Sequence, residues 1–353
     1  MNDPAFEPAG RRRFLKTLAA GGGALLLPPA WGQEVLPDLV TAQSIAAVRR
    51  GLDYLAARQT SGGSLGGTED TGVYPTAMSS LAGMAFLAGG NTSTRGAYRE
   101  QVRGISEFLV EASQQSGLIA SGGENGRPMY GHGFALMFLA CAFGMETDPA
   151  RRGRIAEVVQ RAIRLTASAA SPDGGWMYEP NSGDEGSVTV TQLQGLRAAN
   201  DAGFSVPQET VNNAVRYLER CETASGGICY SLSSGGEARP PITAAAVCCL
   251  YTSGEYDSPL AETCLRFTAR YFKAAGVGGF GHDFYANLYA AQAFYQAGDK
   301  YWEPYFPKIR DVYVSSQQND GSWSGDGVGR VYGTSIASIV LQLPYRYLPI
   351  YQR

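Results

Sequence analysis

The chain has only two histidines among 353 residues, and charged residues make up 17% of it. Six cysteines are present, but none is spaced Cys-x-x-Cys, which excludes a zinc ribbon. Lysine and arginine form no stripe along the body of the chain, and the net charge is −3. Nucleic acid is therefore not an expected partner, since its phosphates call for a clustered basic surface. Beyond the first thirty residues, no unbroken apolar run approaches the ~20 residues that cross a bilayer. Apolar stretches are repeatedly cut by glycine-rich polar loops.

Glycine is plentiful, at 45 residues, and it is patterned. A Gly-x-(aromatic or aliphatic) element recurs as Gly63-Ser64-Leu65, Gly117-Leu118-Ile119, Gly174-Gly175-Trp176, Gly226-Gly227-Ile228, Gly278-Gly279-Phe280 and Gly321-Ser322-Trp323. The spacing, roughly 40–60 residues, is that of paired-helix repeats. A helix with a charged face precedes each copy. In one of them, Val211, Val215 and Leu218 fall at i, i+4 and i+7, one face of a 3.6-residue period. A second helix, apolar nearly all round and rich in small residues, follows each copy: 74–87, 130–143, 188–199, 242–251, 283–296 and 332–343. Such helices are buried. Six buried helices in a ring with six outer ones make an all-α fold, an (α/α)6 barrel or α/α toroid. The repeats run at about 42–92, 99–147, 152–205, 208–256, 259–300 and 304–350, all in one domain over 33–353.

The N-terminus reads differently. Arg11-Arg12-Arg13-Phe14-Leu15-Lys16 matches a twin-arginine export signal, followed by an apolar run from Leu18 to Leu27 and small residues at Ala30-Trp31-Gly32. Residues 1–32 are thus expected to be a leader and the protein to be periplasmic or otherwise extracytoplasmic. Losing that leader removes four basic and two acidic residues, taking the net charge from −3 to −5. In an oxidising compartment Cys221 and Cys229, which flank the fourth turn, are candidates for a disulfide whose geometry sequence leaves open. Cys141, Cys248 and Cys249 read as small apolar fillers.

The repeat grammar resembles that of the terpenoid cyclase and protein prenyltransferase superfamily, over roughly residues 42–350. Gln317-Gln318-Asn319-Asp320-Gly321-Ser322-Trp323 is similar to the second half of the glutamine–tryptophan motif of squalene cyclases. The resemblance implies an α/α toroid with a central cavity for an apolar, isoprenoid-like ligand. It does not carry over the family's chemistry. The Asp-x-Asp-Asp proton donor of class II cyclases aligns with Asp184-Glu185-Gly186-Ser187, where Gly186 and Ser187 replace the second and third Asp. The prenyltransferase zinc histidine aligns with Ala286 in Asp283-Phe284-Tyr285-Ala286, and the other two ligands align with Thr243 and Ala245. No metal and no cofactor is expected.

Polar residues collect in the loops leading into the inner helices, including Asp70, Glu124, Arg127, Arg239, His282 and Arg330. Both histidines lie there. His132 and Asp283 are the candidates for a general base or ligand pair, or else they cap helices and satisfy loop amides. Tyr74, Tyr130, Tyr178, Tyr285 and Tyr332 recur at one point of the repeat as an aromatic collar, and Trp176 completes the candidate binding set. Gln192 and Asn287 on the third and fifth inner helices point to a polar-spotted interior. Two readings stand: an enzyme acting on an apolar or polysaccharide substrate, and a non-catalytic toroid binding a small-molecule, lipid-like or protein partner. Nothing in the sequence identifies a protein partner or an oligomeric state.

Overall fold

The structure is a computed structural model and describes residues 36–66, 74–122, 124, 126–252, 257–279 and 281–352. The twin-arginine segment, Asp70 and Phe280 lie outside the described residues. Those described form twelve α-helices: α1 (Ala42–Arg58), α2 (Pro75–Ala88), α3 (Arg99–Glu111), α4 (Pro128–Met145), α5 (Pro149–Ser168), α6 (Gly186–Asp201), α7 (Gln208–Arg220), α8 (Pro240–Thr252), α9 (Pro259–Ala275), α10 (Asp283–Ala297), α11 (Asp299–Ser316) and α12 (Arg330–Gln342).

The even-numbered helices pack on one another in chain order, and α12 returns to α2. They are the inner ring. The odd-numbered helices lie outside, each against its neighbours in the ring. The division follows from composition. Inner helices such as α2 are buried along nearly every face, whereas α7 buries only Ala214, Tyr217 and Leu218. Val211 and Val215 of its predicted stripe are half-buried. Three of the outer helices begin on side-chain caps. Thr41 caps α1 in a capping box with Ser44, and Asp148 and Ser258 cap α5 and α9 with proline next in the chain.

The glycine turns stitch the outer ring together. Gly321 has φ +88°, and a Cβ built there would lie 2.5 Å from the Arg50 carbonyl oxygen of α1. Only glycine permits both that backbone and that approach. Gly63, Gly117 and Gly174 likewise meet carbonyls of α3, α5 and α7. Because Gly321 of the last repeat rests on the first, this contact closes the ring. The Gln317 amide strengthens the closure, donating to the carbonyls of Ala47 and Gly321 at 2.8 and 2.9 Å.

The side chains after each turn explain the rest of the motif. Trp176 and Trp323 are fully buried and donate their indole N–H to Thr166 and Tyr313 carbonyls, each at 2.8 Å. The turn residue's own amide is received by a side chain in the first turns of the next inner helix. Leu65 donates to Ser79 Oγ, Ile119 to His132 Nδ1, Trp176 to Thr189 Oγ1, Ile228 to Thr243 Oγ1 and Trp323 to Thr334 Oγ1, all at 2.8–3.1 Å.

Two observations correct the sequence reading. The fifth and sixth repeats meet at Gly298, so α11 begins at Asp299 rather than 304 and carries Pro304 and Pro307 within it. And α4, with 18 residues, is long and apolar enough to cross a membrane by length and composition, whereas no such stretch was expected. Here α4 is packed between α2 and α6. All six cysteines are free thiols, and Cys229 donates its amide to the Cys221 carbonyl at 2.9 Å, so the two stand side by side across the fourth turn.

Candidate functional site

One end of the ring is stoppered. After α12 the chain forms two short 3-10 turns, Leu343–Tyr345 and Pro349–Tyr351, and buries Ile350 and Tyr351 against α6. Between the two ends, Gln194 of α6 and Gln292 of α10 reach past α8 and pair across the interior at 2.8 Å. Space remains at the other end, where the inner helices begin. A cavity of about 740 Å³ opens there, within the usual range for a small-molecule site.

Its wall is set by the repeat. The side chain two residues before each amide acceptor points the opposite way, since two residues of α-helix turn through about 200°. In the five repeats with such an acceptor these positions are Ala77, Tyr130, Ser187, Pro241 and Tyr332; Tyr285, two residues before Asn287, takes the equivalent place in the fifth repeat, and all six line the cavity. The collar is uneven: α4, α10 and α12 contribute tyrosines, while α2 and α6 contribute the small Ala77 and Ser187, and α8 contributes Pro241. The rest of the wall includes Met78, Leu81 and Phe134, the loop tyrosines Tyr74, Tyr178 and Tyr230, Tyr271 of α9, and a polar margin of Arg127, Glu237, Arg239 and His282.

Hydrogen bonds fix the polar part. Glu185, fully buried at the N-cap of α6, accepts from the Ser187 and Val188 amides at 2.9 and 2.6 Å and from Ser187 Oγ at 2.7 and 2.8 Å. Ser187 Oγ in turn bonds the Tyr130 hydroxyl. Burial raises the Glu185 carboxyl above its ordinary range, and the bonds from Ser187 oppose it. Burial also pushes the Tyr130 and Tyr285 hydroxyls far up, so both stay neutral hydrogen-bond donors. The Arg127 guanidinium lies over the Tyr178 ring, 4.7 Å from its centroid. Tyr178 and Tyr230 bond through their hydroxyls.

Of the residues expected in the site, Tyr130, Tyr178, Arg239, His282, Tyr285 and Tyr332 meet around the cavity. Six others do not. His132 is fully buried, accepting from Ile119 N at Nδ1 and donating from Nε2 to Thr166 Oγ1 at 3.0 Å; burial lowers its pKa to about 4, so it stays uncharged. It faces the turn because it stands two residues after Tyr130. Asp283 accepts the Gly279 amide at 3.1 Å. Asn287 donates to the Asp283 and Val277 carbonyls at 2.7 and 2.8 Å. Trp176 packs in the repeat, and Gln192 ties α6 to the Met129 carbonyl at 2.7 Å. Arg330 pairs with Asp320 at 3.0 Å on the outside. Glu124 joins the Thr76 amide to the Ser121 hydroxyl. Sequence reading missed Tyr230 and Tyr271. For Tyr230 a signal existed: it follows Ile228 by two, as Tyr178 follows Trp176. Among the described residues, no group of three His, Cys, Asp or Glu is placed to hold a metal.

The chain is thus an α/α toroid with a one-ended, tyrosine-collared cavity. No protein-family model matches the sequence, and no curated protein does. Solved structures do match in shape. A variant of the type II terpene cyclase MstE from Scytonema, in complex with its substrate geranylgeranyl dihydroxybenzoate, superposes with a TM-score of 0.58 at 13% identity, over 87% of this chain and 98% of that one. A protein from Actinoplanes gives 0.57 at 18%, over 86% and 99%. A possible member of the GH105 family from Salmonella enterica gives 0.55 at 13%, over 91% and 99%. The fold is therefore that of a terpenoid cyclase-like α/α toroid.

Proposed function

We propose that this is an exported toroid protein whose cavity binds an apolar, isoprenoid-like small molecule. The observation that carries the reading is the wall beneath the gap in the collar. Where α4, α10 and α12 place tyrosine, α2 places Ala77, and Met78 and Leu81 of the same helix with Phe134 of α4 line the wall there. That is room shaped for a hydrocarbon chain. Aromatic rings around it suit an alkene by contact with their faces. The prenylated substrate bound by MstE in the same fold supports the choice of ligand. Neither His132 nor Asp283 takes part, since both are occupied in holding loops.

A second reading has one observation in its favour. A collar of tyrosines with arginines at its margin also suits a sugar ring, and a GH105-like protein shares the fold.

Native mass spectrometry of the protein purified from its own host, with and without Ala77→Trp, tests the proposal. A retained isoprenoid mass that the tryptophan eliminates is expected. A retained oligosaccharide mass would transfer the cavity to the second reading.

A further inference from the structure

We propose that the ligand enters with an anionic head group, a carboxylate or phosphate, held at the cavity margin by Arg127 and Arg239. This rests on the reading of the cavity as a ligand site and names the end of the ligand that the apolar wall does not explain.

Some surface arginines are ion-paired, among them Arg103 with Glu100, Arg151 with Glu146, Arg220 with Asp173 and Arg266 with Glu262. Arg127 and Arg239 are set apart by their place. Both front the cavity, and neither side chain makes a hydrogen bond or ion pair among the described residues. The carboxylate sharing their wall, Glu237, is exposed and pairs with neither. Arg127 is nevertheless held in place, because its guanidinium lies flat over Tyr178. Stacking of that kind leaves the N–H edges of the guanidinium available, in the fork that matches a carboxylate or phosphate.

The adjoining hydroxyls add a donor. Tyr178 and Tyr230 bond to each other, and in such a pair one hydroxyl donates while the other keeps its own proton free. Arg127 stacks on the ring of one member of this pair. Arg127 precedes α4, next to α2, but its guanidinium reaches over Tyr178 of the loop before α6, and helix order separates Arg239 from the hydrocarbon wall. Arg239 immediately precedes α8, and α8 stands three places round the ring from α2, directly across from Met78 and Leu81. A ligand with one charged end and one apolar end spans that distance with each end in its own chemistry.

The test is calorimetric titration of the full chain with geranylgeraniol, geranylgeranoic acid, geranylgeranyl diphosphate and trigalacturonate, repeated for Arg127→Gln and Arg239→Gln. At least one anionic prenyl probe should bind ten-fold or more tighter than the alcohol, the tighter of the two identifying the head. Each variant should reduce that advantage about ten-fold, leaving alcohol affinity and melting temperature unchanged, and 0.5 M salt should do likewise. Equal affinity for alcohol and anions would overturn the head-group assignment and leave the apolar cavity standing. Trigalacturonate binding that the variants abolish, with no prenyl binding, would keep the anionic group and overturn the isoprenoid reading. No binding by any probe would overturn both.

Discussion

His132 and Tyr130 are two residues apart and have opposite fates. Tyr130 faces the ligand space, and His132 receives the amide that Ser79, Thr189, Thr243 and Thr334 receive in the other repeats. A histidine in that position makes stability depend on pH. Its folded pKa is about 4 against an ordinary 6.5. The unfolded chain therefore takes up a proton between those values while the folded chain does not. Stability from this group is full above pH 6.5 and falls as pH drops to 4, by at most ~3 kcal/mol. His132→Thr, which copies the other repeats, should remove that portion of the slope. Thermal unfolding from pH 7 to 4 checks it: parallel curves for the two proteins would place the titration elsewhere. Glu146 adds a separate dependence at lower pH. Burial works to raise its carboxyl, but Arg151, Ser93 and the Asp148 amide outweigh it and bring it to about 2. Its contribution is present above the ordinary carboxylate range and is lost as pH falls from 4.5 through 2. Glu146→Gln should lower stability at pH 7 and narrow its difference from the parent at pH 2, measured by chemical denaturation.

At the scale of elements, the turns were readable because their demands are local. A positive φ and a close carbonyl call for glycine whatever the rest of the chain does. The fifth turn departs from the others: Gly279 rather than Gly278 takes the positive φ, at +89°, and a Cβ there meets nothing within 4 Å. Gly279→Ala should therefore cost only the left-handed backbone, about 1–2 kcal/mol. Gly321→Ala adds a collision with Arg50 at the ring closure and should cost clearly more. Comparing denaturation midpoints of the two variants decides it, and equal losses would deny Gly321 its closing role. Helix type and order were legible from the same local rules. The start of α11 was not: the last repeat was expected from about 304, whereas in the fold the helix begins straight after Gly298 and holds Pro304 and Pro307 within it.

Over the whole molecule, the cavity has one opening because the C-terminal segment fills the other end. Leu343, Leu348, Ile350 and Tyr351 are all buried there. Removing residues 343–353 should lower the melting temperature by 10 °C or more, and an unchanged value would mean the stopper contributes nothing. Export through residues 1–32 is a proposal with its own test: replacing Arg11 and Arg12 by lysine should leave the protein in the cytoplasm, as fractionation of cells would show. The amino-acid sequence by itself determined the repeat, the all-α class and the positions where tyrosine recurs, since periodicity, glycine and buried composition act over a few residues. It could not determine which polar residues share a space. His132, Asp283, Asn287 and Arg330 carry suitable chemistry at a suitable place in the repeat, yet each is consumed by a neighbouring loop or helix. Arg127 and Arg239 look no different in the chain and reach the cavity. Only the closed ring decides between them, because the direction of a side chain at a helix start is set by what packs on either side of that helix.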